Sequence, residues 1–447
     1  MRRPLPPPPR MPTSLELLLL LLLAWTSVGE AMESCRAEDG RKEVEEGPGE
    51  AISERARAAL SSYEKLHARI LDPREKKIKR KFLVLQPLLG MGNSQIEEAT
   101  ALLLAMQTRR ALVIDLFDRS VGDGGPSWYA PYLETYNRSH MDMDKERLAT
   151  FLQNNSETSL LPEFREHLYA QFNELVACKR WDRALTGKTV ASRGRFLGYL
   201  PAYHNQHHGK WLRQTFGAFF FHFALNFLHR PSKEVKLKVQ GIRSKYLLHS
   251  NCSIGIHIRW GKPSDHYHYV DHNRPEESLK KYLDCSLQLC PNKNTTVYLL
   301  ATDSHWVRKE FRKLVPDQVR VWSSKHSVKP DNRHHVHALT EQIALGECDH
   351  IITTRLSTFS FSIHARANKR PWVVAKDSPS CKRLSHSQDG LFADPPIHDK
   401  WPWQKSYFKG LSCFTHFNNS LLSAMNGYNG GGGSSSQACL ISPLCPV

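Results

Sequence analysis

The sequence predicts an α/β fold with two Rossmann-like domains. Short apolar runs of β type alternate with helical segments in two separate stretches of the chain, which is the pattern of doubly wound sheets. In the second stretch, three such runs end in small, polar or basic residues, as expected at the carboxyl edge of a parallel sheet. At 447 residues, the chain has room for two domains and terminal tails.

The amino-terminal region predicts entry into the secretory pathway. Arg2, Arg3 and Arg10 precede a leucine run at 17–23, and small residues follow, so residues 1–31 are interpreted as a signal peptide. A signal anchor is the alternative, but the apolar core is short for a bilayer span. We expect a location in the lumen of the endoplasmic reticulum or Golgi, or secretion, with no stable membrane span after signal cleavage.

Cysteines, sequons and charge agree with that route. The chain has 10 cysteines, and several disulfides are expected, with a pairing that the sequence does not define. Asn-x-Ser/Thr sequons predict a glycoprotein and stand at Asn137, Asn154, Asn251, Asn294 and Asn418. The net charge of +17 suits anionic partners, including nucleotide phosphates. Since no basic stripe or nucleic-acid motif accompanies that charge, nucleic acid is not an expected partner.

The first domain is assigned to residues 81–234. Residues 32–80 precede it and are expected to be flexible at first and helical from 51 to 71, where apolar residues recur at helical spacing. The domain opens with a βαβ unit and continues less regularly. Its predicted elements are a strand at 81–86, a loop at 88–93, a helix at 94–108, a strand at 111–115 and helical stretches around 163–178 and 211–228.

The second domain is assigned to residues 235–422, and residues 423–447 are interpreted as a disordered, Gly/Ser-rich tail. Strands and helices alternate through this domain, which predicts a second doubly wound sheet. The predicted strands are 254–259, 296–301, 318–322, 350–354 and 372–375, and the predicted helices are 276–289, 305–314, 336–345 and 358–367.

Gly90, Met91, Gly92 and Asn93 form the turn after the first strand. Glycines let a backbone approach a ligand closely, while Asn93 and the amino end of the following helix supply hydrogen-bond donors. A tight strand-to-helix turn without a ligand is the alternative.

His257, Ile258 and Arg259 end an apolar strand. Alternation places His257 and Arg259 on one face of the strand and Ile258 on the other. A charge at that position needs a partner. An anionic ligand is the preferred explanation, and a structural salt bridge is the alternative.

Polar residues also follow two other strands. Asp303 is interpreted either as the cap of the next helix or as a contact to a base or ribose. Ser357, Thr358 and Phe359 start a helix whose hydroxyls and N–H groups suit a phosphate, and an ordinary N-cap is compatible with that role. The histidine groups near 204–208 and 266–272 have no Cys or carboxylate at zinc-site spacing, and no Asp-x-Asp is identified at a position that would hold a divalent ion between nucleotide phosphates. No metal and no cofactor are therefore expected.

Taken in order, these motifs resemble those of GDP-fucose protein O-fucosyltransferases, within the wider group of inverting fucosyltransferases of GT-B fold. The resemblance implies two Rossmann-like domains facing a cleft, with acceptor-side insertions in the first and GDP-fucose binding in the second. The matching segments are Gly-Met-Gly-Asn (90–93), Arg-Ala-Leu (110–112), His-x-Arg (257–259), Val-Tyr-x-x-Ala-Thr-Asp-Ser (297–304), Leu-Gly-Glu-Cys-Asp-His-Ile-Ile (345–352) and Ser-Thr-Phe-Ser-Phe-Ser-Ile-His (357–364).

The resemblance also implies roles for single residues. Arg259 would be the catalytic group that holds the β-phosphate and stabilises departing GDP. Thr358 and Phe359 would contact the phosphates, and Glu341 stands where the family has an Asp that contacts the nucleotide. One branch of the family has a possible catalytic base, a Glu, at the position of Gly90. This chain is more similar to the branch without it, so no base is assigned.

Three functions follow as hypotheses. The first is inverting, metal-independent transfer of fucose from GDP-fucose to a Ser/Thr hydroxyl of a small disulfide-rich domain or glycoprotein. The second is transfer to a glycan hydroxyl. The third is a secreted GDP-sugar-binding or glycan-binding protein with a degenerate site, which the Glu341 substitution and the missing base would favour.

Overall fold

The computed structural model describes thirteen ranges, to which the following account is restricted: 48–72, 74–86, 91–114, 158–160, 179–185, 189–193, 207–217, 219–261, 270–292, 295–324, 334–354, 357–374 and 381–383. The predicted signal peptide, the helical stretch at 163–178, the tail at 423–447 and the sequons at Asn137, Asn154, Asn294 and Asn418 lie outside the described residues.

A parallel sheet forms the first half of the described chain. Its strands run in the order β2-β1-β4-β3, and every pairing is parallel. The elements are β1 Phe82–Gln86, α2 Met91–Thr108, β2 Ala111–Ile114, β3 Thr158–Leu160, α3 Trp181–Ala184 and β4 Thr189–Arg193. The predicted βαβ unit is confirmed as β1-α2-β2. Its helix begins at Met91 rather than at 94, so Met91, Gly92 and Asn93 are helical and not part of a loop.

Helix α1, Glu50–Leu71, covers the edge of this sheet. Ala56, Leu60 and Tyr63 are buried in the core that it shares with the sheet. The Tyr63 hydroxyl accepts the Leu112 N–H at 2.9 Å, and a His67 ring nitrogen donates to the Leu112 carbonyl at 2.9 Å. Because edge strands leave main-chain groups unpaired, these two side chains complete the hydrogen bonding of β2.

Three further helices connect the sheets: α4 Gly209–Phe216, α5 Phe220–Leu228 and α6 Lys233–Ile242, which continues as a π-helical turn, Arg243–Leu247. The helical stretch predicted at 211–228 is thus two helices. Gly217 between them has φ +55°, a left-handed conformation that ends α4 and that glycine adopts without strain. The expected domain boundary between 234 and 235 falls inside α6.

The second sheet has the order β10-β9-β8-β5-β6-β7, and it is parallel except for the β9–β10 pair. This confirms the predicted α/β class with a second doubly wound sheet. Its elements are β5 Cys252–Ile258, α7 Pro275–Leu289, β6 Thr296–Thr302, α8 His305–Leu314, β7 Arg320–Ser323, α9 His334–Glu347, β8 His350–Thr354, α10 Thr358–Ala367, β9 Trp372–Val374 and β10 Lys382–Arg383.

Two disulfides tie this sheet to α7. Cys252 at the start of β5 is bonded to Cys290, and Cys285 is bonded to Cys381. The prediction of disulfide bonds is therefore confirmed, while Cys348 is a buried free thiol. Within the described ranges, no helix has both the length and the apolar character needed to cross a bilayer.

Candidate active site

Apart from Glu341, the predicted site residues of the second domain gather where β5 ends. Strand β5 lies between β8 and β6, so the polar residues that follow these strands meet at one edge. The side chain of Ile258 is fully buried in the core below this edge. It therefore supports the site from inside, while His257 and Arg259 carry the polar groups.

Asp303, which follows β6, holds the turn after β5. Its carboxylate accepts the N–H groups of Trp260 at 2.7 Å and Gly261 at 3.1 Å, and it pairs with Arg259 Nη1 at 2.7 Å. The hypothesis that Asp303 caps the next helix is wrong, because the Ser304 hydroxyl accepts the Val307 N–H and performs that role. Asp303 instead braces the turn that presents Arg259.

The sequence analysis gave a structural salt bridge as the alternative to an anionic ligand for Arg259. The structure shows such a salt bridge, with Asp303. The Arg259 side chain is 42% exposed and the Asp303 side chain 25% exposed. An ion pair at this level of exposure contributes little to stability, because water screens it. The same exposure leaves the guanidinium within reach of an anionic ligand, so the two explanations of Arg259 are compatible.

His257 connects β5 to the start of α10. Its Nδ1 lies 2.6 Å from the Ser360 hydroxyl, and its ring centroid lies 4.8 Å from that of Phe359. Burial and, to a smaller extent, the charge of Arg259 lower the pKa of His257 to about 3. His257 is therefore neutral at physiological pH, so it serves as a hydrogen-bonding and stacking group beside the positive charge of Arg259.

The amino ends of α2 and α10 are in direct contact. A Cβ atom built on Gly92 would lie 2.6 Å from the Phe359 nitrogen and 2.7 Å from the Thr358 carbonyl carbon. Ser357 caps α10 by accepting the Ser360 N–H. Since the amino end of a helix carries partial positive charge and unsatisfied N–H groups, the meeting of two such ends at the helix that His257 contacts favours an anion.

A pair of amides aligns α2 with α9 below this contact. Gln95 and Gln342 donate to each other through hydrogen bonds of 3.1 and 3.0 Å, and both are buried. Met91 in the first turn of α2 packs against a small apolar cluster that contains Val235 and Val336. Of the predicted turn residues, Gly92 is the one for which the structure shows a close approach to Thr358 and Phe359 on α10. Gly90 lies outside the described residues.

Glu341 lies on α9 toward the opposite edge of the sheet. Its carboxylate accepts a hydrogen bond from Ser324, the residue after β7, and β7 is separated from β5 by β6. Burial raises the pKa of Glu341 to about 7, against the opposing effects of the Ser324 hydrogen bond and the charge of Arg308. A contact between Glu341 and a nucleotide would therefore lie away from Arg259, at the other end of an extended ligand.

The carboxylates one turn into α2 are placed in the protein interior. Glu98 is 2% exposed and pairs with His229, and Glu97 is fully buried. Because both carboxylates are buried, neither is exposed to an acceptor hydroxyl in the described part of the chain. Asp265, the other carboxylate near the Arg259 motif, lies outside the described residues.

The histidine groups of the sequence do not supply the candidate metal-ligand cluster of the described residues. In the part of the chain that the structure describes, the group with suitable spacing is Cys252, Cys290 and His350, but its two sulfurs are joined in a disulfide. His208 accepts the Trp181 N–H at 3.0 Å and contacts Gln107 at 3.1 Å, so both of its ring nitrogens have structural partners.

Sequence reasoning missed the hydroxyl groups that support this edge, Thr354, Ser360 and Tyr282. Thr354 ends β8, and its Oγ1 accepts the Arg259 N–H at 2.9 Å. Position was the available signal for Thr354, because polar residues at the carboxyl ends of parallel strands lie at the ligand edge of the sheet. Tyr282 carries no such signal, since an aromatic residue on the apolar face of a helix is ordinarily a core residue.

The chain is similar in sequence and in fold to known fucosyltransferases. No family model matches the chain. Its relatives in Arabidopsis thaliana include "Probable fucosyltransferase 9", 23% identical over 396 residues that cover 76% of this chain and 75% of the relative. Another is "Galactoside 2-alpha-L-fucosyltransferase", 23% identical over 402 residues that cover 76% of this chain and 71% of the relative. A solved structure, an Arabidopsis thaliana FUT1 mutant in complex with GDP, matches with a TM-score of 0.54 and 16% identity over 75% of this chain and 82% of that chain.

Proposed function

We propose that the chain is a fucosyltransferase of GT-B fold that transfers fucose from GDP-fucose to an acceptor hydroxyl, with inversion at the anomeric carbon. The observation that carries the proposal is that β5 ends in Arg259 while His257, two residues earlier, contacts the amino end of α10, which meets the amino end of α2. Fucosyl transfer leaves negative charge on departing GDP, and a preorganised guanidinium with helix-end N–H groups stabilises that charge as it develops.

The proposed reaction is a single displacement. The acceptor oxygen bonds to the anomeric carbon as the bond to the β-phosphate oxygen breaks, and the products are the fucoside, GDP and a proton. Arg259 and the N–H groups near Thr358 and Phe359 would hold the diphosphate, while Glu341 would contact the guanine. His257 stays neutral in this scheme, so it adds no second positive charge next to Arg259.

The second part of the proposal concerns which hydroxyl group accepts the fucose. A Ser/Thr hydroxyl on a disulfide-rich domain is our first candidate, because the ordered motifs resemble those of the protein O-fucosyltransferases. A glycan hydroxyl is the second, favoured by the likeness to a relative that is named for galactoside fucosylation. The disulfides of the second sheet support a working location in the oxidising lumen of the secretory pathway.

The test is a transfer assay with the full chain, labelled GDP-fucose and three acceptor conditions: a folded EGF-like domain, a galactose-terminated oligosaccharide and no acceptor. Label on the EGF-like domain supports the first candidate, and label on the oligosaccharide supports the second. Tight GDP-fucose binding in calorimetry without transfer or hydrolysis would instead contradict the enzymatic proposal. GDP-mannose, titrated in parallel, reports the specificity for the sugar.

Transfer is expected to continue in the presence of EDTA. In the proposed site, Arg259 and the helix-end N–H groups supply the positive charge that a divalent ion would otherwise provide. The initial rate is measured with excess EDTA and again after adding Mn²⁺ or Mg²⁺. An activity that is lost in EDTA and restored by either ion would contradict the proposed metal independence.

GDP binding is expected to weaken as the pH falls below about 7. With its raised pKa, Glu341 is ionised above pH 7 and protonated below it. Only the carboxylate accepts both guanine N–H donors, so affinity should fall toward a limit of about tenfold for each pH unit below the pKa. Calorimetric titrations of GDP from pH 5.5 to 8.5 measure this dependence.

The Glu341→Gln variant is the control for that titration, because ionisation of the GDP phosphates affects it and the wild type equally. We expect a weaker affinity in this variant and a flatter pH profile. Parallel profiles in the two proteins would remove Glu341 from the nucleotide site.

A further inference from the structure

The Thr354 hydroxyl replaces the main chain of β8 at the point where its ladder with β5 stops. The last pair of that ladder is His257 with Thr353. Beyond it, Thr354 Oγ1 accepts the Arg259 N–H at 2.9 Å and donates to the His257 carbonyl at 3.2 Å. One side chain therefore satisfies a donor and an acceptor on either side of Ile258 and fixes the backbone from which Arg259 projects.

The Tyr282 hydroxyl completes this arrangement from α7. It lies 2.7 Å from Thr354 Oγ1. A threonine hydroxyl has one hydrogen and two lone pairs. The Thr354 hydroxyl donates its hydrogen to the His257 carbonyl and accepts the Arg259 N–H with one lone pair. The Tyr282 hydroxyl must therefore donate to the second lone pair. Burial raises the pKa of Tyr282, which keeps its hydroxyl protonated and able to donate.

We propose that Tyr282 and Thr354 form a positioning pair that sets the location of Arg259 against the leaving diphosphate. Tyr282 is 1% exposed, so it acts through Thr354 rather than on a substrate. On the other side of the turn, Asp303 holds the next two N–H groups, those of Trp260 and Gly261. Three consecutive amides are thus held by side chains, and Tyr282 and Thr354 are buried whereas Asp303 is 25% exposed. The inference rests on the proposed role of Arg259 in the proposed function.

Tyr282→Phe is the main test, because it removes one hydroxyl and keeps the ring that fills the core. Tyr298→Phe is its matched control. Tyr298 is 2% exposed on β6, and its hydroxyl bonds to Ser286 at 3.1 Å, remote from the Arg259 turn. Both variants lose one buried hydrogen bond and are expected to lose similar stability in urea unfolding. We expect kcat and GDP affinity to fall about three- to tenfold in Tyr282→Phe and to stay unchanged in Tyr298→Phe.

Variants of Thr354 and a double mutant separate positioning from stability. Thr354→Ser keeps the hydroxyl and should retain GDP affinity, whereas Thr354→Val keeps the shape and should lower it more than Tyr282→Phe does. In an Arg259→Ala background, Tyr282→Phe should cause no further loss of GDP affinity, because the side chain that it positions is gone.

Two results would overturn the inference: equal effects of the two tyrosine variants on GDP affinity, or an undiminished effect of Tyr282→Phe in the Arg259→Ala background. A wild-type chain that binds GDP but transfers no fucose would overturn the proposed function alone. In that case, the GDP affinities of the same variants still decide whether Tyr282 positions Arg259.

Discussion

Arg259→Ala is expected to lower kcat for fucosyl transfer by about 10²- to 10³-fold, the loss typical of removing one preorganised group that stabilises developing negative charge. The protein should still fold, because the Arg259 side chain is 42% exposed and its ion pair with Asp303 lies at the surface. Turnover with GDP-fucose and urea unfolding measure the two parts of this prediction. Residual activity near the wild-type level would refute the role assigned to Arg259.

Two variants separate the geometry of Arg259 from its charge. Arg259→Lys keeps a positive charge but loses the planar fork that matches a phosphate, so we expect only partial recovery of activity. Arg274→Ala removes another arginine of the same domain, 67% exposed and paired with Asp271 and Glu277. It should leave activity unchanged. A comparable loss in Arg274→Ala would mean that the assay reports general charge rather than a site.

The elements of the second sheet could be predicted from local pattern. Three elements have the predicted bounds: the helices at 305–314 and 358–367 and the strand at 350–354. Their bounds could be predicted because helical spacing and apolar strand runs depend on residues that are close together in sequence. The start of α2 was placed three residues late, since glycine and asparagine in sequence favour a turn. The break at Gly217 was missed inside an otherwise continuous apolar pattern.

The sequence predicted which residues lie in the site, but not the hydrogen bonds and packing contacts between them. Asp303 follows a strand and precedes a helix, which is the local signature of a cap, but tertiary structure directs its carboxylate to the turn after β5. The contact of Gly92 with α10 joins positions far apart in sequence. A glycine in a motif indicates either a turn or close packing, and only the folded chain distinguishes the two.

Gly92→Ala should separate the amino ends of α2 and α10 and weaken GDP binding by at least about tenfold. The new methyl group would lie 2.6 Å from the Phe359 nitrogen, 2.7 Å from the Thr358 carbonyl carbon and 2.9 Å from the Thr358 oxygen. All three are backbone atoms, so no side-chain rotation relieves the overlap and the helices must move apart. Overpacking of this kind costs about 1–3 kcal/mol of unfolding free energy.

Gly241→Ala is the matched control, because Gly241 is also helical and has nothing within 4 Å of its built Cβ atom. Alanine favours a helix over glycine by about 0.5–1 kcal/mol, so this variant should be slightly stabilised with unchanged GDP affinity. The same propensity gain acts in Gly92→Ala, and any net loss there measures the contact between the helices. Urea unfolding and GDP calorimetry on both variants decide the matter. If Gly92→Ala bound GDP as tightly as Gly241→Ala, the close approach of α2 to α10 would be packing alone, and the diphosphate would have to be held by Arg259 without the paired helix ends.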